Sequence, residues 1–228
     1  MAKGKITVRR ELKQPDGFMK TVNRVIEYVT FHRRKAIIIG VVILAAAIGF
    51  SVVQAYIFHQ NRQASLVMGE SLAAMGDMQT TKEIKAGLAK LEDGFGAFHF
   101  AASYPLACFV RGNGYYFLRD FERSRQAYED AVVESDNFIA DLCQLGIAYN
   151  YFATKDYERS TTILEKIRLN NPSNVGENVY LLLGMSYEQL GQVKQAIAVY
   201  EDMVQFVPDS RFRNWAEGRL EHLKLISS

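Results

Sequence analysis

LGMSYEQLGQVKQAIAVYEDMV, from Leu183 to Val204, sets an order of residues. A glycine (Gly184) is followed three positions later by a tyrosine (Tyr187), then by a polar turn (Gly191-Gln192). A small residue (Ala196) comes next, and a large one (Tyr200) four positions on. Two upstream stretches repeat that order, RGNGYYFLRDFERSRQAYEDAV (Arg111–Val132) and LGIAYNYFATKDYERSTTILEKI (Leu145–Ile167). Aligned on Gly112, Gly146 and Gly184, they are spaced by 34 and then 38 residues, and their tyrosines are Tyr115, Tyr149 and Tyr187. The small positions are Ser124, Ser160 and Ala196, and the large ones Tyr128, Leu164 and Tyr200. Internal repetition at this period signals stacked units, each a pair of antiparallel helices. Small residues let the two helices approach, and large ones fill the space to the next unit. One unit cannot bury its apolar face alone, so the units form a solenoid.

On the glycine alignment the second unit carries about two extra residues near Asn150–Thr154. Pro172 and Pro208 close the second and third units, with Asp136 at the matching place in the first. Beyond Pro208, Ser210 can cap a last helix. In it Phe212, Trp215, Ala216, Leu220, Leu223 and Leu225 cover the open end of the stack, while Arg211, Arg213, Glu217 and Glu221 face water. Upstream, Arg62–Gly76 and Thr80–Gly94 read as one more helical pair, the second starting at Thr81. Phe95, Phe98, Phe100 and Tyr104 then crowd before Pro105, either packing on the first repeat or forming a binding patch.

The N-terminal quarter is of a different kind. AIIIGVVILAAAIGFSVVQAYIF, Ala36–Phe58, holds no charge over 23 residues. At about 1.5 Å per residue it reaches roughly 34 Å, enough for a hydrocarbon core of about 30 Å. It is too long for a signal-peptide core, and no small-residue cleavage site follows it. A buried core helix would not stay apolar on every face for this length. Residues 1–35 hold ten Lys/Arg and three acids, a net +7, which leaves −5 for the rest of a chain whose total is +2. His32-Arg33-Arg34-Lys35 abuts the apolar run, and the next basic residues after it are Arg62 and Lys82. The positive-inside rule therefore puts the N-terminus in the cytoplasm and everything from His59 onward across the membrane, in the periplasm of a Gram-negative cell. Within the basic segment, Asp16 can cap a helix in which Phe18, Val22, Val25, Ile26 and Val29 share a face. That helix either leads into the span, lies on an anionic leaflet with Lys20 and Arg24, or docks a membrane partner.

Together these readings give an all-α protein. It has a basic tail with an amphipathic helix (1–35), one transmembrane helix (36–58), and a helical pair with its loop (59–104). Three repeats (105–138, 139–176, 177–210) and a capping helix (211–228) follow. The repeat spacing resembles the tetratricopeptide repeat family, with Tyr180, Leu183, Gly184, Tyr187, Gly191, Ala196, Tyr200 and Pro208 at its pattern positions. The whole layout, with the aromatic turn Phe98–Tyr104, resembles the YfgM-type ancillary subunits of the bacterial SecYEG translocon. That resemblance implies a non-enzymatic inner-membrane accessory. Its partners would be translocon subunits, periplasmic chaperones or unfolded clients. A structural solenoid that self-associates, or that organises another envelope complex, is the alternative.

Chemistry-bearing patterns are sparse. His32, His59, His99 and His222 do not pair at metal-ligand spacing. Gly112-Asn113-Gly114 lacks the third glycine of a phosphate loop, with Phe117 in its place. The near-neutral balance gives no nucleic-acid footprint, and neither cofactor nor metal is expected. Cys108 and Cys143 lie on neighbouring first helices. Packed helices stand about 8–10 Å apart, beyond the roughly 7 Å that a bridge allows, so two buried thiols are expected. What remains for function is the concave groove that first helices line in the repeat family. By the glycine alignment it takes Phe109, Asn113, Tyr116 and Phe117 from the first unit. The second gives Cys143, Ile147, Asn150 and Tyr151, and the third Leu181, Met185, Glu188 and Gln189. Tyr116, Phe117 and Tyr151 would form one aromatic strip. Alternatively, some of these residues are core, or the capping helix fills the groove. An apolar groove suits an amphipathic helix or an extended apolar segment.

Overall fold

The computed structural model describes residues 17–76, 80–133, 138–170 and 176–227. Asp16, Asp136, Pro172 and the basic residues from Lys3 to Lys13, together with the side chain of Phe18, lie outside them. The chain divides into two compact units, Met1–Tyr56 and Ile57–Ser228.

In the first unit, α1 (Gly17–Phe31) is followed after His32 by α2 (Arg33–Met75), which runs on into the second. The apolar face of α1 is uncovered, with Val25, Ile26 and Val29 all exposed. So is the apolar run of α2, from Ile37 to Val53. Nothing in the chain buries it, which removes the core-helix reading; by length and composition α2 can cross a membrane.

The second unit begins at Ile57 on α2 and continues through α3 (Thr81–Asp93), a short 3-10 turn (Phe95–Phe98), α4 (Tyr104–Phe117) and α5 (Phe121–Val133). Then come α6 (Phe138–Ala153), α7 (Tyr157–Asn170), α8 (Glu177–Gln189), α9 (Val193–Phe206) and α10 (Arg213–Ser227). Among the described residues every element is a helix, and each packs chiefly on the helices before and after it. Thr80 caps α3 in a reciprocal pair with Glu83, so the helix starts where expected with its cap one residue earlier. Phe98 is fully buried and Phe95 stacks near Phe98 and Tyr104 under the Arg111 guanidinium, whereas Phe100 is exposed. Most of the aromatic turn is therefore packing.

The period of the stack is 36 residues throughout. Arg119, Lys155 and Gly191 all take left-handed backbone at the turn between paired helices (φ 62, 65 and 68). Asp120, Asp156 and Gln192 each donate a backbone N–H to Tyr115, Tyr151 and Tyr187. Ser124 Oγ bonds the Gly112 carbonyl at 2.8 Å, and Ser160 Oγ the Ala148 carbonyl at 3.1 Å. Gly112, Ala148 and Gly184 are thus equivalent, and the second unit has no insertion. Gly146, which the sequence alignment set against Gly112 and Gly184, lies two residues early. Its reason is steric. A Cβ at Gly112 or at Gly146 would stand within 2.5 Å of the Tyr128 ring, so the two glycines wall the same ring. At the third unit Gly184 meets Tyr200 in the same way, while Leu164, a slimmer residue, needs only Ala148 opposite it.

Buried hydroxyl and amide groups tie successive units. Asn150 Nδ2 donates to Ser124 Oγ at 3.0 Å, and Ser186 Oγ to Ser160 Oγ at 3.3 Å, both across 26 residues. Cys108 and Cys143 are buried in one apolar cluster with Tyr128 and Ile147, and are unbridged. Ala216, Leu220 and Leu223 of α10 close the end of the stack, but Leu225 is exposed. Ser210 receives the Phe212 N–H at 3.1 Å, consistent with its capping place.

Candidate functional site

The first helices of the units, α4, α6 and α8, line two clefts on one face. Phe109, Asn113, Tyr116 and Phe117 of α4 face Leu142, Leu145, Gly146 and Tyr149 of α6 across a cleft of about 290 Å³, with Tyr128 at its floor. A second cleft, of about 410 Å³, lies between Tyr149 and Phe152 of α6, Asn178, Leu181, Leu182 and Met185 of α8, and Phe212 and Trp215 at the start of α10. Tyr116 and Tyr149 belong to both, their rings 6.4 Å apart and edge to face. The two clefts are thus one trough with an aromatic sill.

The 36-residue period explains which residues reach it. Phe109, Leu145 and Leu181 occupy one column along the stack; Asn113, Tyr149 and Met185 the next; Tyr116, Phe152 and Glu188 a third. Of the expected groove residues, Phe109, Asn113, Tyr116, Phe117, Leu181 and Met185 line the trough. Those named on α6 do not, because the glycine alignment displaced them by two positions, more than half a turn of helix. Cys143, Ile147 and Asn150 are buried against α5, and Tyr151 lies beneath the guanidinium groups of Arg125 and Arg159. The aromatic strip runs through Tyr149 instead of Tyr151. Glu188 is also not free. It accepts the Tyr200 hydroxyl at 2.8 Å and Arg219 Nε at 2.8 Å, so α10 bolts over its column. The capping helix therefore closes one end of the trough and supplies Phe212 and Trp215 to its wall. Gln189 is exposed and lines neither cleft. Leu142, Leu145, Tyr149, Phe152, Asn178, Leu182, Phe212 and Trp215 are the lining residues that the glycine alignment missed.

The trough is apolar with two fixed polar points. Asn113 Oδ1 accepts the Tyr128 hydroxyl at 2.7 Å. Burial raises the pKa of Tyr116 and of Tyr149, so both phenols stay neutral at physiological pH. Burial alone would raise Glu188, but hydrogen bonds from Arg219 and Tyr200 outweigh it and hold the carboxylate below its ordinary value. Among the described residues no group of three or more His, Cys, Asp or Glu is placed to hold a metal. The arrangement can bind by apolar contact and shape, with Asn113 and Asn178 as hydrogen-bonding points.

Residues 178–210 match the family model of the tetratricopeptide repeat. The repeat region is a tetratricopeptide-repeat solenoid. The MamA RS-1 ArsTM double mutant has a similar structure (16% identity, TM-score 0.59), covering 73% of this chain and 85% of that one. So does the MamA fragment from residue 41 to its end from Desulfovibrio magneticus RS-1 (16% identity, TM-score 0.56, 72% and 89% covered). At such identity the likeness is one of fold. Comparison with curated protein sequences finds no match.

The buried hydroxyls and thiols predict a pH limit. Burial, then the neighbouring Cys108, pushes the Cys143 thiol from 9.0 up to about 12. Burial, then its bond to Glu165, pushes Tyr187 from 10.0 up to about 12. The unfolded chain loses these protons first, so the folded state is fully favoured below about pH 9 and loses stability as pH climbs towards 12. Thermal unfolding followed by circular dichroism should show a flat midpoint to that point and a fall beyond it. A midpoint unchanged up to pH 12 would show these groups to be solvated.

Proposed function

We propose that this protein is a membrane-anchored scaffold, standing in the bacterial inner membrane with its solenoid in the periplasm. Its trough takes an amphipathic helix or an extended apolar segment of a partner protein. The observation that carries this reading is the continuous aromatic wall across three successive helices, Tyr116, Tyr149 and Phe152, continued by Trp215. Rigid aromatic side chains in a concave surface are common anchors in protein interfaces. The fold is typically a non-enzymatic interaction fold, and the reading calls for no cofactor. The tail-span-repeat layout and its likeness to YfgM-type subunits support a place beside the translocon, with chaperones or emerging clients as partners.

Orientation is tested separately from binding. Protease added to spheroplasts should digest the repeats and spare the tail; protected repeats would overturn the periplasmic assignment. For the trough, photocrosslinking residues at Tyr149 and Met185 in native membranes should capture a partner, and one at Glu129 on the outer helix α5 should not. Capture of other copies of this chain alone would favour the self-associating solenoid instead.

A further inference from the structure

The two edges of the solenoid differ. Within the second unit the helices alternate in direction, joined by short turns, so the starts of α4, α6, α8 and α10 share one edge with the ends of α3, α5, α7 and α9. The entry of the chain lies on that edge too, since Asn61 Oδ1 accepts the Ala102 N–H at 3.1 Å, just before α4. This entry edge displays large apolar side chains from every unit: Phe58, Phe100, Val133, Phe138, Leu169 and Phe206, each between 59% and 82% exposed. None of them lines the trough. The opposite edge, at the turns between paired helices, presents Arg119, Lys155 and Gln192 to solvent.

Such a one-sided set of Phe, Leu and Val is costly to leave in water, and something covers it. The chain itself indicates what. The uncharged run ends at Phe58, and Asn61 is already bonded into the solenoid three residues on. Three residues of helix advance about 4.5 Å, so the solenoid enters within a few ångströms of the bilayer surface. Exposed His59, Arg62 and His99 on the same edge suit an anionic headgroup layer.

We propose that the entry edge of the solenoid rests on the leaflet from which the span emerges, with these side chains in the boundary between headgroups and acyl chains. This holds the trough open beside the membrane, its aromatic wall reached from the aqueous side. Amphipathic elements at this boundary bury their apolar side about 5–10 Å deep. The inference rests on Ala36–Phe58 being a span, and the test keeps the two apart.

Full-length protein is reconstituted into vesicles of phosphatidylcholine and phosphatidylglycerol carrying bromine on the upper acyl chain. Phe138→Trp, Leu169→Trp and Phe206→Trp place one added fluorophore each on the entry edge, and Lys155→Trp places one on the opposite edge. Trp215 provides the common background of the unsubstituted chain. Brominated lipid should quench most of the added emission at the three entry-edge positions and little at Lys155→Trp, in low and high salt alike. Resistance to carbonate extraction reports the span. A chain that resists extraction but shows no added quenching at the entry edge overturns the edge proposal and leaves the span standing. A chain released by carbonate overturns both. Entry-edge tryptophans that are unquenched in vesicles, yet shielded from an aqueous quencher in native membranes, would show a protein covering the edge, and would overturn the lipid assignment.

Discussion

Tyr200→Ala should cost the solenoid about 3–5 kcal/mol, the loss for a large aromatic removed from a close-packed core. The ring is fully buried and meets Trp215 edge to face at 5.6 Å. Its flank lies against Gly184, where a Cβ would stand 2.3 Å away, so no neighbouring side chain reaches in to refill the space. For a unit of this size each kcal/mol is worth roughly 2–4 °C, so the midpoint should fall by about 6–20 °C. Tyr200→Phe keeps the ring and loses only the bond to Glu188, and should cost about 1.5–3 kcal/mol. Glu188 retains Arg219 in that variant. Equal melting of the Ala and Phe variants would mean that the hydroxyl, not the packing, holds this end of the stack.

The second large effect is on binding. Tyr116 and Tyr149 form the sill shared by both halves of the trough, so Tyr116→Ala with Tyr149→Ala removes the wall from each side at once. Truncating one central anchor often costs about 2 kcal/mol, roughly thirtyfold in affinity, so the pair should abolish crosslinking from Met185. Both rings are half-buried, so helicity should survive in the double variant. Tyr151→Ala is the discriminating control. Tyr151 sits between Arg125 and Arg159 away from the trough, and its loss should leave capture intact. The reverse pattern, with Tyr151 needed and Tyr149 dispensable, would move the partner to the other face of α6.

The contrast between Tyr149 and Tyr151 shows how far the sequence could be read. The membrane-type run, the helical pairs, the turns and the small-large alternation of the second helices were all legible, because each follows from local periodicity. The site was legible on α4 and on most of α8, and misread on α6. Two signals disagreed there. Ser124, Ser160 and Ala196 recur at 36 residues, as do Tyr128, Leu164 and Tyr200, whereas the glycines recur at 34 and 38. Small residues on second helices face their own first helix in every unit, so their spacing follows the backbone period. A glycine marks only where some bulky ring comes close, and Gly146 answers the ring of the unit before it. The closing of Glu188 by Arg219 was beyond reach for another reason, since that contact spans 31 residues and no local pattern predicts it.

The ring walled by two glycines also bears on the order in which the chain assembles. Contacts in the stack join consecutive helices, so folding can follow synthesis from the N-terminal side, unit by unit. Tyr128 sets a delay in that sequence. Its first wall, Gly112, is made before it, but its second, Gly146, is made later and belongs to the next helix pair. Until α6 arrives, the phenol has an open flank, and the first pair remains a loose hairpin waiting for its successor. Nascent chains ending just after α5 should therefore exchange the amide hydrogens of α4 rapidly, and chains extended through α6 should protect them. Each pair is finished only by the one that follows, and α10, with nothing behind it, ends the series.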